Sequence, residues 1–413
     1  MRAKLHEARA AADGVGGSRA GPGAGAALPK ARANGARKPR IGISGSYGGL
    51  NLGDEAILHS IVDSLRREAE LVVFSRDPAD TKARHRVESV DVRGLTRLQS
   101  REVVAGLDLL VFGGGGLLFD DEAELFLREV QLAHELDVPV MVYGISAGPL
   151  TLPHTRKLVR EALDRCAAIT VRDRHGVHLL QEIGIETPLQ LTADPALLLR
   201  PAKLQASALR HEMNKGARRL VGFSVREPGA AAPDLDIDHY HALVANAADY
   251  VIDRFDADVV FVPMERRHVD IQHSHAVAAK MQHAARTSIV KGEYAPAQLL
   301  MLLRRFDLAI GMRLHFLIFA ALAGVPFVSL PYASKVSGFI EDLDLPAPPL
   351  KVLNAGTLLA HIDRSWDHRE QLRSHIAERL PALQARAARN HEVLMQVLKE
   401  RVRRHADPRT SRE

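Results

Sequence analysis

The chain has 413 residues, 46% apolar and 25% charged, with a formal net charge of +5. That length suits two domains with ordinary buried cores. The lone cysteine, Cys166, excludes an internal disulfide and predicts a reducing, cytoplasmic setting, and no apolar run approaches the ~20 residues of a membrane span.

The charge is unevenly placed. Residues 1–40 hold nine Lys/Arg against two Asp/Glu, a net +7, so the remaining 373 residues sum to −2. This Ala-, Gly- and Arg-rich leader lacks the apolar stretch of a secretory signal and reads as disordered. Its expected role is solubilising, with weak binding to nucleic acid or to an anionic membrane, such as peripheral contact with the inner membrane face, as the alternative. Aromatics make up 5% of the chain, and no basic stripe interleaves with them after the leader, so nucleic acid is not expected as a partner.

From residue 41 strand and helix alternate. IGISG (41–45), LVVFS (71–75), LLVFG (109–113), PVMVYGIS (139–146) and AAITV (167–171) are near-continuous apolar runs, as in strands covered on both faces. Between them, Ile57, Leu58, Ile61, Val62 and Leu65 share one helix face, and helices are predicted over Ala123–Leu136 and Thr155–Arg165. The polar stretch 200–218 breaks the pattern and reads as an inter-domain connection. Alternation then resumes with LVGFSV (220–225), ADVVFVPM (257–264), SIV (288–290), DLAIG (307–311) and PFVSL (326–330), with helices over His239–Arg254 and Pro296–Arg304. The expected fold class is α/β, with two Rossmann-like doubly wound domains facing a cleft: a leader over 1–40, domains over 41–205 and 206–345, and C-terminal helices with a frayed tail over 346–413.

In open parallel sheets ligands sit at the carboxyl ends of the strands, so the residues after each strand carry the functional reading. After the first comes SGSYGGLNLGDEAIL. Gly45, Gly48, Gly49 and Gly53 permit close approach, and Asn51, Asp54 and Glu55 open the helix. Acids there also serve capping and the helix dipole, so a structural role stands beside the binding one. Neither G-x-G-x-x-G nor G-x-x-x-x-G-K-[ST] is met. Paired carboxylates repel phosphate but accept hydrogen bonds from sugar hydroxyls. The next loop, Phe112–Asp121, brings Gly114 and Gly115 near a ligand or packs the domains tightly. In YGISAGPL, Ser146 lies outside any G-x-S-x-G elbow, which argues against a hydrolase nucleophile.

Arg172 follows AAITV and is a candidate anion clamp, with a salt bridge to Asp173 as the alternative. Asp194, before Pro195, reads as a structural turn. In the second half Arg226 and Glu227 follow one strand and Glu265 another. His268, Asp270, His273 and His275 fit no zinc spacing and read as a solvated helix face, so no metal is expected. Arg313 and His315 follow the strand 307–311, and Lys335 follows the next. A cationic pocket holding an imidazole suits an anionic substrate that gains or loses a proton.

Taken in order, GGLNLGDEAIL, FGGGGLLFD, YGISAGP, VRD, ADPALLL, FSVRE and GMRLHFLIFAALAGVPFVSLPYASKV resemble the polysaccharide pyruvyl transferases over residues 41–345. The resemblance implies a fold similar to B-type glycosyltransferases. It also implies transfer of the pyruvyl group of phosphoenolpyruvate to a sugar of a cell-surface polysaccharide or its precursor, free or lipid-linked, forming a ketal and releasing phosphate. It assigns Arg172 of VRD, His315 of GMRLH and Lys335 of PYASK to the donor and to catalysis. Asn51, Asp54 and Glu55 go to the acceptor, and Gly114, Gly115, Arg226 and Arg313 are expected to line the substrate site. No cofactor is implied beyond phosphoenolpyruvate as donor substrate. The alternatives are a B-type glycosyltransferase using a nucleotide sugar, with Glu227 or Glu265 on the ribose, and a non-catalytic protein that binds an anionic metabolite or glycan.

Overall fold

The computed structural model describes residues 37–205, 207–208, 212–213, 219–226, 236–265, 269–330, 334–346 and 354–406. Most of the basic leader therefore lies outside the described residues, as do Glu227, His268 and Tyr332 of the motifs above.

Seven parallel strands make the first sheet: β1 Arg40–Ser44, β2 Glu70–Ser75, β3 Glu88–Asp91, β4 Leu109–Leu118, β5 Val140–Ala147, β6 Ala168–Val171 and β7 Leu189–Leu191. Their order is β3-β2-β1-β4-β5-β6-β7. Five more make the second: β8 Leu220–Ser224, β9 Asp258–Phe261, β10 Thr287–Ile289, β11 Leu308–Gly311 and β12 Phe327–Ser329, in the order β10-β9-β8-β11-β12. Every pairing is parallel. The strand order reverses between β1 and β4 and again between β8 and β11, and a crevice opens at such points. The fold is thus two doubly wound α/β lobes.

The apolar runs all became strands, because helices cover both faces of each sheet. Two strands came without an apolar run. β3 (ESVD) and β7 (LQL) are short edges with no fully buried residue, so no hydrophobic signal marks them. The glycine run after Phe112 departs from the expected loop. It continues β4 to Leu118, pairing with β5 across a register shift between Gly116 and Leu118. Gly113, Gly114 and Gly115 take φ of 129°, 86° and 104°, which side-chain-bearing residues rarely adopt. The helix expected over Ala123–Leu136 is split at Leu127 into Ala123–Phe126 and Arg128–Glu135.

Two devices join the lobes near the crevice. At the first, Leu52 N–H donates to Met264 O (2.8 Å), and Asn51 and Glu265 form an antiparallel bridge. The second is the C-terminal helix Arg369–Ala406. Its middle returns to the first lobe. Gln384 donates to Leu197 O, Arg386 to Thr192 O, and the fully buried Asn390 bonds Thr192 Oγ1 and Ala193 O.

Candidate active site

A cavity of about 350 Å³ opens where the carboxyl ends of the two sheets face each other. The first lobe supplies Ser46, Asn51 and Asp54 after β1, Arg76 after β2, Gly116 in β4 and Arg172 after β6. The second supplies Arg226, Glu265, Arg313, His315 and Lys335. His315 stands on the first turn of the helix Leu314–Ala323 and Lys335 on the first turn of Ser334–Asp342.

Arg172 is 4% exposed, and its Nη1 donates to Asp194 Oδ2 at 2.6 Å. Asp173 is a looser neighbour, with Oδ2 3.7 Å from Nε, and spends Oδ1 capping the helix Arg174–Glu182. Asp194 Oδ2 also lies 3.4 Å from His315 Nε2. Burial alone would raise the Asp194 carboxyl. The Arg172 guanidinium and then His315 outweigh it, holding Asp194 well below the usual carboxylate range. A residue that reads as a turn thus joins the two lobes electrostatically.

The other edge of Arg172 meets Lys335 over bare backbone. A Cβ built on Gly116 would stand 3.8 Å from Arg172 Nη2 and 4.0 Å from Lys335 Nζ. Two cations from opposite lobes therefore converge on a strand that offers no side chain.

His315 leans on another glycine. A Cβ at Gly53 would lie 1.9 Å from His315 Nδ1, so the imidazole occupies the space that a side chain there would fill. Gly53→Ala is expected to keep the fold, because alanine is the better helix former. Displacement of the ring is the expected result, with kcat about 10²-fold lower, the loss that a misplacement of about 1 Å brings when the group takes part in catalysis. Steady-state kinetics beside a thermal melt check this.

Asp54 sits between the two lobes' charges. Burial raises its pKa. His315, a hydrogen bond from Ser46, Arg76 and Lys335 pull the other way without cancelling the rise. Glu55, its neighbour, points elsewhere. It is buried, accepts from Gly48 N–H at 2.9 Å, and bonds His85 Nε2 at 2.9 Å. The two acids thus divide, Asp54 to the cavity and Glu55 to the underside of the loop. The glycines divide likewise. A Cβ at Gly114 would strike Ile57 Cγ2 at 2.1 Å, one at Gly115 would stand 3.4 Å from Asp54 Oδ1, and Gly116 faces the cations.

Asn51 lines the cavity but also caps the helix Leu52–Leu65, its Oδ1 accepting from Gly53 N–H. Arg226 lines the second-lobe wall. Arg313 does too, yet its guanidinium is engaged. Nε and Nη2 donate to Asp270 (3.0 and 2.5 Å), and Nη2 also to Glu265 (2.8 Å). Asp270 is fully buried and accepts from Met264 and Glu265 N–H, which corrects the reading of it as part of a solvated face. On the same helix His273 Nδ1 meets His241 Nε2 at 2.8 Å, and His275 is exposed.

Sequence reasoning passed over Asp194, Arg76 and Ser46. For Arg76 a signal existed, since it follows a buried parallel strand directly, as Arg172 does. Nothing local distinguishes Asp194 from an ordinary Asp-Pro turn.

A family model described as polysaccharide pyruvyl transferase matches residues 51–334. The chain is 22% identical over 392 residues to the amylovoran biosynthesis protein AmsJ of Erwinia amylovora, covering 82% of this chain and 94% of that protein. Among solved structures, a putative UDP-N-acetylglucosamine 2-epimerase from Listeria monocytogenes aligns with a TM-score of 0.61 at 13% identity, covering 88% and 98% of the two chains. A glycosyltransferase from Rickettsia africae aligns at 0.59 and 10%, covering 88% and 99%. At such identities the structural likeness establishes the fold alone, that of B-type glycosyltransferases and epimerases.

Proposed function

Because the chain belongs to the polysaccharide pyruvyl transferase family and is a transferase, we propose that it moves the pyruvyl group of phosphoenolpyruvate onto a sugar of a cell-surface polysaccharide or its precursor. The observation that carries this reading is the convergence of Arg172 and Lys335 over Gly116, with His315 alongside. Phosphoenolpyruvate holds a carboxylate and a phosphate close together. A guanidinium matches one by its planar fork, and an ammonium meets the other as a compact charge. The polysaccharide context follows from the family and from the amylovoran biosynthesis relative.

In the reaction His315 donates a proton to the methylene carbon of the donor, which becomes a methyl group. The central carbon becomes oxocarbenium-like and electrophilic. One sugar hydroxyl attacks it and gives its proton to Asp54, whose raised pKa suits a general base. The bond to phosphate breaks, and the proton on Asp54 leaves with the phosphate. A second hydroxyl closes the ketal, and its proton restores His315. Arg172 and Lys335 neutralise the donor throughout, and closure of the lobes keeps water from the electrophile.

The direct test is incubation with phosphoenolpyruvate and a panel of hexose and hexosamine glycosides. A pyruvyl adduct by mass together with phosphate release is the expected result. Nucleotide release from a sugar nucleotide, with no phosphate from phosphoenolpyruvate, sinks the reading. Phosphoenolpyruvate alone is also expected to raise the melting temperature, since it bridges the lobes; saturation at 100 times Kd adds about 2.7 kcal/mol. Lys335→Ala, which removes one charged contact, should weaken donor affinity about tenfold or more and shrink that shift.

Among the described residues no helix is long and apolar enough to cross a membrane. We place the enzyme in the cytoplasm. A single cysteine, Cys166, free and buried, is in keeping with a reducing compartment.

A further inference from the structure

Arg76 is a cavity-lining cation that the reaction just described does not use. Its guanidinium lies against Gly49, where a built Cβ would stand 2.7 Å from Nη2 and 2.8 Å from Cζ. Nη2 donates to Ser46 Oγ (2.5 Å) and Ser46 O (3.3 Å), and the buried Nε has no acceptor among the described residues. Arg172 and Arg313, by contrast, are each held by a buried aspartate at 2.6 and 2.5 Å. Arg76 is thus fixed in place by a hydroxyl, a carbonyl and a glycine, with its charge directed to the cavity.

That charge is seated on a different loop from the pair assigned to the donor. In the proposed reaction the donor's two anionic groups go to Arg172 and Lys335, which converge over Gly116. Ser46 and Gly49, which seat Arg76, belong to the loop after β1, on the side where Asp54 handles the acceptor. Asp54 offsets part of that charge but is shared with His315 and Lys335, and the surplus works against a centre that turns positive in the same cavity. A neutral sugar does nothing to offset it, whereas an anion on the acceptor does.

We propose that Arg76 reads a negative charge on the acceptor, a phosphate or carboxylate carried by the ketalised sugar or by its immediate neighbour. The proposal rests on the pyruvyl-transfer reading for the acceptor's place in the cavity, and it narrows the acceptor to acidic or phosphate-bearing glycans. A guanidinium stacked on backbone can serve either anion, and the test separates the two sources.

Three probes are compared for each of several hexoses and hexosamines: the methyl glycoside, the sugar 1-phosphate, and the same sugar linked to a uronate. Calorimetric titration into the full-length protein is expected to show at least one anionic probe binding about tenfold tighter than its neutral counterpart. Tighter binding of the phosphate points to a glycosyl phosphate, and of the uronate to an acidic glycan. Arg76→Gln should bring all three probes to the neutral level, and Arg76→Lys should keep part of the preference. With turnover as readout, Arg76→Gln should raise KM for the anionic acceptor and leave KM for phosphoenolpyruvate within twofold. Equal binding of neutral and anionic probes by the native protein overturns the proposal. So does a preference that survives in Arg76→Gln, or a variant whose defect lies in KM for phosphoenolpyruvate. A preference lost in Arg76→Gln without phosphate release from phosphoenolpyruvate supports Arg76 as an anion reader and sinks the reaction instead.

Discussion

Replacing His315 with glutamine should lower kcat by about 10²–10⁴-fold, the usual worth of a positioned general acid, while donor binding and melting temperature change little. The imidazole sits at the start of the helix Leu314–Ala323 with one ring nitrogen over Gly53 and the other 3.4 Å from Asp194. Nε2 is buried, with the Asp194 carboxylate as its charged neighbour. Glutamine keeps the bulk and polarity but carries no transferable proton. Single-turnover phosphate release from phosphoenolpyruvate, with acceptor present, isolates the chemical step. In heavy water the native enzyme should place one deuterium in the ketal methyl group. Full turnover by a normally folded Gln variant would remove His315 from the acid role.

Asp194→Ala should be the most destabilising change near the cavity, at about 3–5 kcal/mol, because removing one partner of a buried ion pair strands the other. Arg172 would lose its 2.6 Å contact while remaining buried, and the turn Pro195–Leu198 would lose the cap that Asp194 Oδ1 provides to Ala196 N–H. Asp194→Asn retains a cap acceptor and should cost less. Denaturant unfolding of both variants measures the difference. The pH dependence follows from the sign of the shift. Asp194 titrates below its unfolded value of about 3.9, so its stabilisation is complete above that pH and is lost as pH falls toward the depressed folded value. Native protein should therefore lose more stability than Asp194→Asn on acidification below about pH 4, and parallel losses would contradict the pairing.

The legibility of this chain differs by element. Runs such as LVVFS and AAITV carry their own burial, so the central strands were readable. β3 and β7, exposed on the sheet edges, owe their pairing to neighbours rather than to composition. The glycines after Phe112 announce permissive backbone without saying how it is used. Gly114 makes room for Ile57 and Gly116 for two cations, a distinction of strand face. Asp54 and Glu55 both precede apolar residues at helical spacing, so phase does not separate them. His85, thirty residues on, draws Glu55 inward. Arg172, His315 and Lys335 are legible both from their places after buried strands and from family motifs, and they line one cavity. The partnership of Asp194 with Arg172 and His315 spans 22 and 121 positions, and such long-range electrostatics leave no local trace.

The return of the C-terminal helix to the first lobe bears on how the enzyme is made. Thr192, Ala193 and Leu197 flank Asp194, and their bonds go to Asn390, Arg386 and Gln384. Translation reaches those three residues only after every group lining the cavity has emerged. A nascent chain can therefore complete both sheets and still lack the brace that seats the aspartate between the lobes. Chains truncated before Gln384 should lose activity and stability together, since they lack that brace and also the buried Ala387 and Leu394.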